Sequence, residues 1–186
     1  EYDLALRACL DAWQGHGEMP EYVAQPGGPP QVPHAPLIRN LDRLPHPAWD
    51  LLPMTSYNDA ICKGSQVTVM STRGCPVDCS FCYIGGYFGK PNYRLRQASA
   101  VCDEIEEVQR RYQPDEIYFD DDNITVSKKH VAALCNEMLA RGMNLRWTCM
   151  GDATADAETL ELMARAGCRA FKFGVESADD EVLANV

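Results

Sequence analysis

Gln66-Val67-Thr68-Val69-Met70-Ser71-Thr72 leads, through Arg73 and Gly74, into Cys75-Pro76-Val77-Asp78-Cys79-Ser80-Phe81-Cys82-Tyr83. The first stretch mixes β-branched and polar residues in the pattern of a strand. The second places three thiols within eight positions of one loop. A short loop can wrap its thiolates around a single metal centre, and soft sulfur selects iron–sulfur or zinc. Structural zinc is held by four closed ligands, and a simple electron-transfer cluster by four cysteines. Three cysteines on a four-iron cluster leave one iron open to a cofactor or substrate. A zinc module with Cys62 or Cys102 as a distant fourth ligand is the competing interpretation, and three ordinary buried cysteines is the plain one.

Outward from this loop the chain alternates strands and helices. A helix is predicted over Ala98–Tyr112, with Ser99 as its N-cap and Val101, Ile105, Val108 and Tyr112 on one face. Glu116–Phe119 reads as a short strand. Ser127 caps a helix carrying Val131, Leu134, Cys135, Met138 and Leu139, which Gly142 stops. Asn144–Met150 is a third strand, and Asp156 caps a helix with Leu160, Leu162 and Met163 that ends at Gly167. Ala170–Val175 is a fourth strand, and Asp179 or Asp180 opens a last helix. Four strand–helix units of about 30 residues each predict a parallel α/β sheet, open or curled into a partial barrel. Upstream, Leu4, Leu6, Leu10 and Trp13 mark a helix ended by Gly15 and Gly17. A Pro- and Gly-rich connector follows, and residues 41–53 are expected to pack as an ordered strap without regular structure.

The 186 residues carry 17 Lys plus Arg against 27 Asp plus Glu, a net charge of −10. That acidity argues against nucleic-acid partners, since phosphate binding needs a basic face. Arg94, Arg96, Arg110 and Arg111 are read as a solvated helix face with its loop. No apolar run approaches the ~20 residues of a membrane span. The first residues lack a signal peptide, and without an initiator Met the chain is expected to begin inside a longer protein. Nine cysteines in no paired framework predict a reducing, cytoplasmic setting, with the six outside the loop as small core residues. His16, His34, His46 and His130 show no metal-ligand spacing and are taken as structural or exposed.

Cys75-x-x-x-Cys79-x-x-Cys82, with aromatic Phe81 before the last cysteine, resembles the signature of the radical S-adenosylmethionine (SAM) superfamily. The resemblance implies a partial (βα) barrel of the radical SAM type. It implies a 4Fe–4S cluster on Cys75, Cys79 and Cys82, with SAM on the open iron. It also implies reductive cleavage of SAM to methionine and a 5′-deoxyadenosyl radical, with electrons from a donor such as flavodoxin or ferredoxin. Phe119-Asp120-Asp121-Asp122-Asn123-Ile124-Thr125 resembles a Phe-x-Asp-Asp-x-Phe-Thr pattern of relatives that carry cobalamin-binding domains, with Ile124 in place of the second Phe. By that resemblance Asp120, Asp121 and Asp122 are candidates to meet the SAM amino group, in roles left undivided. Gly174-Val175-Glu176-Ser177 resembles another motif of the subgroup, which puts Glu176 and Ser177 near the SAM ribose and methionine groups. Many relatives carry an Arg after the third strand, where this chain has Gly151-Asp152-Ala153. Arg146 and Lys172 are weak substitutes, each also readable as a strand residue with an ordinary partner.

The stretch at 41–53 resembles the connector that joins a cobalamin-binding domain to the barrel. The division that follows is residues 1–17 as the remnant of a preceding domain, 18–64 as connector, and 65–186 as a radical SAM core truncated at its C-terminus. A complete relative would supply about two more strand–helix units. The implied activity is methyl transfer, cyclisation or rearrangement of a small molecule such as a lipid, tetrapyrrole or natural product, with cobalamin bound outside this chain. Methylthiotransfer to RNA or protein is the enzyme alternative.

Overall fold

The computed structural model of the chain describes residues 2–23, 36–57, 64–85, 92–153 and 155–185. The Pro-rich segment at 26–33 and Cys62 lie outside the described residues. Four parallel strands form the sheet: β1 (Gln66–Val69), β4 (Glu116–Phe119), β5 (Trp147–Met150) and β6 (Cys168–Lys172), in that spatial order. Between them run the helices α2 (Ala98–Tyr112), α3 (Lys128–Ala140) and α4 (Ala157–Arg165), and α5 (Asp180–Leu183) follows β6. Each strand thus pairs with the strand of the next unit, as the α/β expectation required.

One face of the sheet is apolar. Val67 and Val69, Ile117 and Phe119, and Trp147 and Cys149 are all buried and pack with Val101, Ile105 and Val108 of α2 and Val131, Leu134 and Met138 of α3. Phe119 and Trp147 meet edge to face at 5.2 Å between ring centroids. The other face carries the intervening residues Thr68, Tyr118 and Thr148, aligned across the sheet by the register. It is polar: the Thr148 hydroxyl donates to the Glu116 carboxylate at 2.9 Å, and the Lys172 ammonium lies 4.4 Å from the Tyr118 ring centroid. Period-two alternation therefore separates a helix-covered core from the concave side of a partial barrel.

The helix limits follow local chemistry. Ser127 accepts a bond from the His130 N–H, and Asp156 from the Thr159 N–H, so both predicted caps hold. Gly142 and Gly167 adopt φ of +63° and +102° just past α3 and α4, and Asp179 caps α5. Ser99 does not cap α2. The helix spans Ala98–Tyr112 as expected, but its cap position is Gln97, without a side-chain cap, and Ser99 lies inside the first turn, where the Val101 N–H already goes to the Gln97 carbonyl. Leu139 and Leu160 lie on the solvent side of their helices.

Three strands differ in extent from the sequence expectation. The first stops at Val69, and Thr72–Arg73 instead form β2, which pairs antiparallel with β3 (Arg94–Leu95). β5 begins at Trp147, where its N–H first finds a partner, the Gly167 carbonyl. β6 ends at Lys172, because the Gly151 N–H takes the Lys172 carbonyl and β5 has no further residues to pair.

The N-terminal helix α1 (Tyr2–Trp13) is anchored by a 2.7 Å ion pair between Asp3 and Arg73. The strap is ordered, as expected, through three single-turn 3₁₀ helices at Leu41–Arg43, Trp49–Leu51 and Met54–Ser56. It lies along the edge strand β1 and inserts Leu41, Trp49 and Met54 into buried positions. Arg94 and Arg96 are not solvated. Arg94 donates to the Ile38 carbonyl just ahead of the strap, and Arg96 lies 3.9 Å from Asp42 of the strap, pairs with buried Glu104 at 2.5 Å and donates to the Met70 carbonyl. They tie strap, β1 and α2 together, whereas Arg110 and Arg111 are exposed as expected.

Trp49 is 4% exposed and sits edge-on to Tyr112. Trp49→Ala is expected to lower unfolding stability by about 3–5 kcal/mol in a denaturant titration, the usual cost of emptying a large buried aromatic site. A loss under about 1 kcal/mol would mean that the strap is not part of the core.

Candidate active site

At the C-terminal ends of the parallel strands the chain opens into a cavity of about 610 Å³. All four strand ends contribute to its wall: the cysteine loop after β1, Asp120–Asn123 after β4, Met150–Ala153 after β5, and Gly174 with Glu176 after β6. That is where an α/β sheet of this kind presents its ligand site, because the loops there splay apart while the ladder holds their roots.

The sequence candidates meet in this cavity with one exception. Cys75, Cys79 and Cys82 line one wall, and Phe81 stands exposed on the rim. Asp120, Asp121, Asp122 and Glu176 line the rest, joined by Asp152, which sequence reasoning did not single out. Ser177 is not among the lining residues. Its hydroxyl accepts the Asp179 N–H at 3.0 Å and shapes the turn into α5. Val77, Tyr83, Ile84 and Met150 add apolar surface. Among the described residues that line the cavity there is no lysine, arginine or histidine.

Neither candidate for a substitute cation reaches it. Arg146 immediately precedes β5, at the opposite end of the strand from the cavity, and Lys172 lies over the Tyr118 ring. His130 is structural: it is buried, with Nε2 3.2 Å from the Ser71 hydroxyl. Cys102 is fully buried in α2, its thiol pushed up to about 11 chiefly by burial, and does not line the cavity. Cys135 and Cys149 are buried too, while Cys9 and Cys168 are half-buried.

The three aspartates differ in environment. Asp120 is exposed. Asp121 is 1% exposed and accepts bonds from the Ser71 N–H and hydroxyl, the latter at 2.9 Å. Burial nevertheless pushes its carboxyl up to about 6. Asp122 is half-buried and accepts the Gly74 N–H at 2.9 Å. Its carboxyl is raised by burial and by Asp120, against the pull of the Gly74 N–H and Arg94. The Cys75 thiol is raised by burial, and the charges of Asp122, Cys79 and Cys82 push it the same way. A pocket whose described lining residues are acidic and include no basic side chain favours a cation, whose arrival would lower all of these values.

Cys75, Cys79 and Cys82 share one wall of the cavity. Three soft thiolates carried by one loop are a donor set that fits an iron–sulfur centre.

An α/β sheet of parallel βα units, with thiols and carboxylates gathered at its strand ends, defines a cofactor-dependent enzyme core. Residues 69–186 match the model of the Radical SAM superfamily, and the chain belongs to that superfamily of enzymes. The chain is 35% identical over 153 residues to an uncharacterized methyltransferase of Pyrococcus horikoshii, covering 81% of this chain and 32% of that protein. It is 32% identical over 172 residues to the cytidylyl-2-hydroxyethylphosphonate methyltransferase of Streptomyces wedmorensis, covering 86% of this chain and 32% of that enzyme. It is 30% identical over 161 residues to the anaerobic magnesium-protoporphyrin IX monomethyl ester cyclase of Rubrivivax gelatinosus, covering 84% and 28% respectively. The chain thus spans about a third of the length of these relatives. No helix among the described residues is long and apolar enough to cross a membrane.

The raised Asp121 carboxyl gives a pH dependence with a definite sign. Its folded value, about 6, lies above the ordinary carboxylate value of 3.8. Between the two the folded state binds more protons, so stability is expected to fall as pH rises from about 4 to about 6, by roughly 2–3 kcal/mol. Buried His130, held below its usual value by burial, works in the opposite direction as pH falls below about 6.5. Urea melts of wild type and Asp121→Asn across this range check the point: the variant should lose the downward slope. Equal slopes would place the Asp121 carboxyl at an ordinary value.

Proposed function

We propose that residues 65–186 form a SAM-cleaving core, with a 4Fe–4S cluster on Cys75, Cys79 and Cys82 and SAM bound beside it in the same cavity. The observation that carries this is the composition of one pocket: three thiols, five carboxylates and no basic side chain among its described lining residues. SAM brings a sulfonium and an ammonium group, and a carboxylate-lined, partly enclosed site favours both. When bound, the cluster supplies the electron that splits SAM into methionine and a 5′-deoxyadenosyl radical.

The chain's own side chains bind and orient. The aspartate run, Asp120, Asp121 and Asp122, together with Glu176, supplies the acceptors for the ammonium and ribose hydroxyls. Phe81, Val77, Tyr83 and Met150 give the site an apolar rim against which the less polar parts of SAM can rest. Ser177 acts indirectly by fixing the turn that carries Glu176, whose backbone is left-handed at φ +59°. Residues 18–64 serve as the connector, and residues 1–17 as the end of a preceding domain that holds cobalamin. The protein works in the cytoplasm with a flavodoxin- or ferredoxin-like electron donor. It transfers a methyl group to, cyclises or rearranges a small molecule of the lipid, tetrapyrrole or natural-product class. The names of the relatives, methyltransferases and a cyclase, support that range.

Anaerobic reconstitution with iron and sulfide, then reduction by dithionite in the presence of SAM, should yield 5′-deoxyadenosine and methionine. Cys79→Ala should cut the yield at least about a thousandfold, since it removes a ligand of the group that carries the chemistry, while the chain stays folded. Stoichiometric zinc in the purified protein, with unfolding of Cys79→Ala, would instead establish a structural metal module.

A further inference from the structure

The loop that carries the three thiols leaves and re-enters the fold through the β2–β3 ribbon, and three polar side chains hold its root. Asp121 takes the Ser71 N–H at 3.2 Å on each oxygen and the Ser71 hydroxyl at 2.9 Å. With that proton given to Asp121, the Ser71 oxygen accepts from His130 Nε2, at 3.2 Å. Asp122 takes the Gly74 N–H at 2.9 Å, and Asn92 Oδ1 takes the Cys75 N–H at 3.0 Å. Gly74 is left-handed at φ +83°, and the space where its Cβ would stand is filled by the Asn92 carbonyl and side chain. The turn into the first cysteine is thus fixed by side chains at three of its peptide donors. Asp120 differs: its N–H continues the sheet ladder to the Val69 carbonyl, and its carboxylate is exposed on the cavity wall.

We infer that Asp121, Asp122 and Asn92 are positioning residues for the thiol-bearing loop, and that Asp120 is the member of the aspartate run that meets the ammonium group of the bound cofactor. The assignment of Asp120 rests on the SAM-cleaving function proposed above. The positioning roles rest on the hydrogen bonds alone. Backbone donors held by carboxylates and a buried amide are stronger anchors than water-exposed ones, and they fix the thiol's direction before any cofactor binds.

Amide hydrogen exchange and cofactor response, measured on the same set of variants in the full chain, separate the roles. Before reconstitution, Asp122→Ala and Asn92→Leu should speed exchange at Gly74 and Cys75 about tenfold, as expected when a local anchor is lost. Asp122→Asn and Asn92→Asp keep an oxygen acceptor and should restore near-wild-type exchange, and Asp120→Asn should change nothing there. After reconstitution, Asp120→Asn should keep its iron but lose the change that SAM induces in the electron paramagnetic resonance of the reduced protein. Asp122→Asn should keep both. Unchanged exchange in Asp122→Ala and Asn92→Leu would overturn the positioning roles. Loss of the SAM response in Asp122→Asn with iron intact would make Asp122 a ligand-binding group and overturn the division. Should wild type take up no iron, the SAM-cleaving function and the role of Asp120 both fall, while the exchange rates still decide the positioning roles.

Discussion

The buried carboxylate of Asp121, hydrogen-bonded to the N–H and hydroxyl of Ser71, is the contact on which the rest of the site depends. It joins the ends of two neighbouring parallel strands, β1 and β4, at the height where the ladder stops. From that joint one chain turns into the thiol loop and the other into the aspartate run. The ladder sets the height of the joint through the Asp120 N–H to Val69 carbonyl bond. The antiparallel β2–β3 ribbon sets the direction in which the loop leaves. Buried charge without a cation is costly, and here hydrogen bonds from Ser71 offset the cost only in part, so the carboxyl holds its proton to about pH 6.

The electrostatics of the cavity point the same way as its thiols. Five acidic side chains crowd one pocket, and Arg94, whose charge is felt by Asp122, donates to the Ile38 carbonyl and is not among the described lining residues. Such crowding raises the free energy of the empty site and lowers that of a site holding a positive ligand. The polar concave face of the sheet, with Glu116, Thr148 and Tyr118, continues that character below the cavity, while the opposite face carries the apolar core. The apolar core and the polar face thereby lie on opposite sides of the sheet.

Much of this was legible in the sequence, for identifiable reasons. Ser127 and Asp156 announce helix starts because their side chains satisfy N–H groups that nothing else can reach, and Gly142 and Gly167 announce ends because left-handed φ suits glycine. Glu116–Phe119 could be delimited to the residue. The three cysteines stood out as one group because they share a short loop, and the structure puts all three on the wall of one cavity. The misses share a different cause: each depended on a partner distant in sequence. β6 stops at Lys172 because its carbonyl takes the Gly151 N–H and β5 runs out of pairing residues. Arg94 and Arg96 looked like surface charge until Ile38, Glu104 and the Met70 carbonyl came into reach. In the site, the run of three aspartates could be located but not divided, since only the fold shows which of them faces Ser71, Gly74 or the cavity. Asn92 carried no sequence signal at all.

The central claim is that three thiolates of one loop hold a cluster with one iron left open in an acidic pocket. Mössbauer spectroscopy of protein reconstituted anaerobically with isotopically enriched iron, recorded before and after addition of SAM, tests it most directly. The expected result is a 4Fe–4S spectrum in which one iron site changes its isomer shift when SAM is added and the others do not. A spectrum that SAM leaves unchanged, with all irons equivalent in their sulfur coordination, would mean a fourth protein ligand and would contradict the claim.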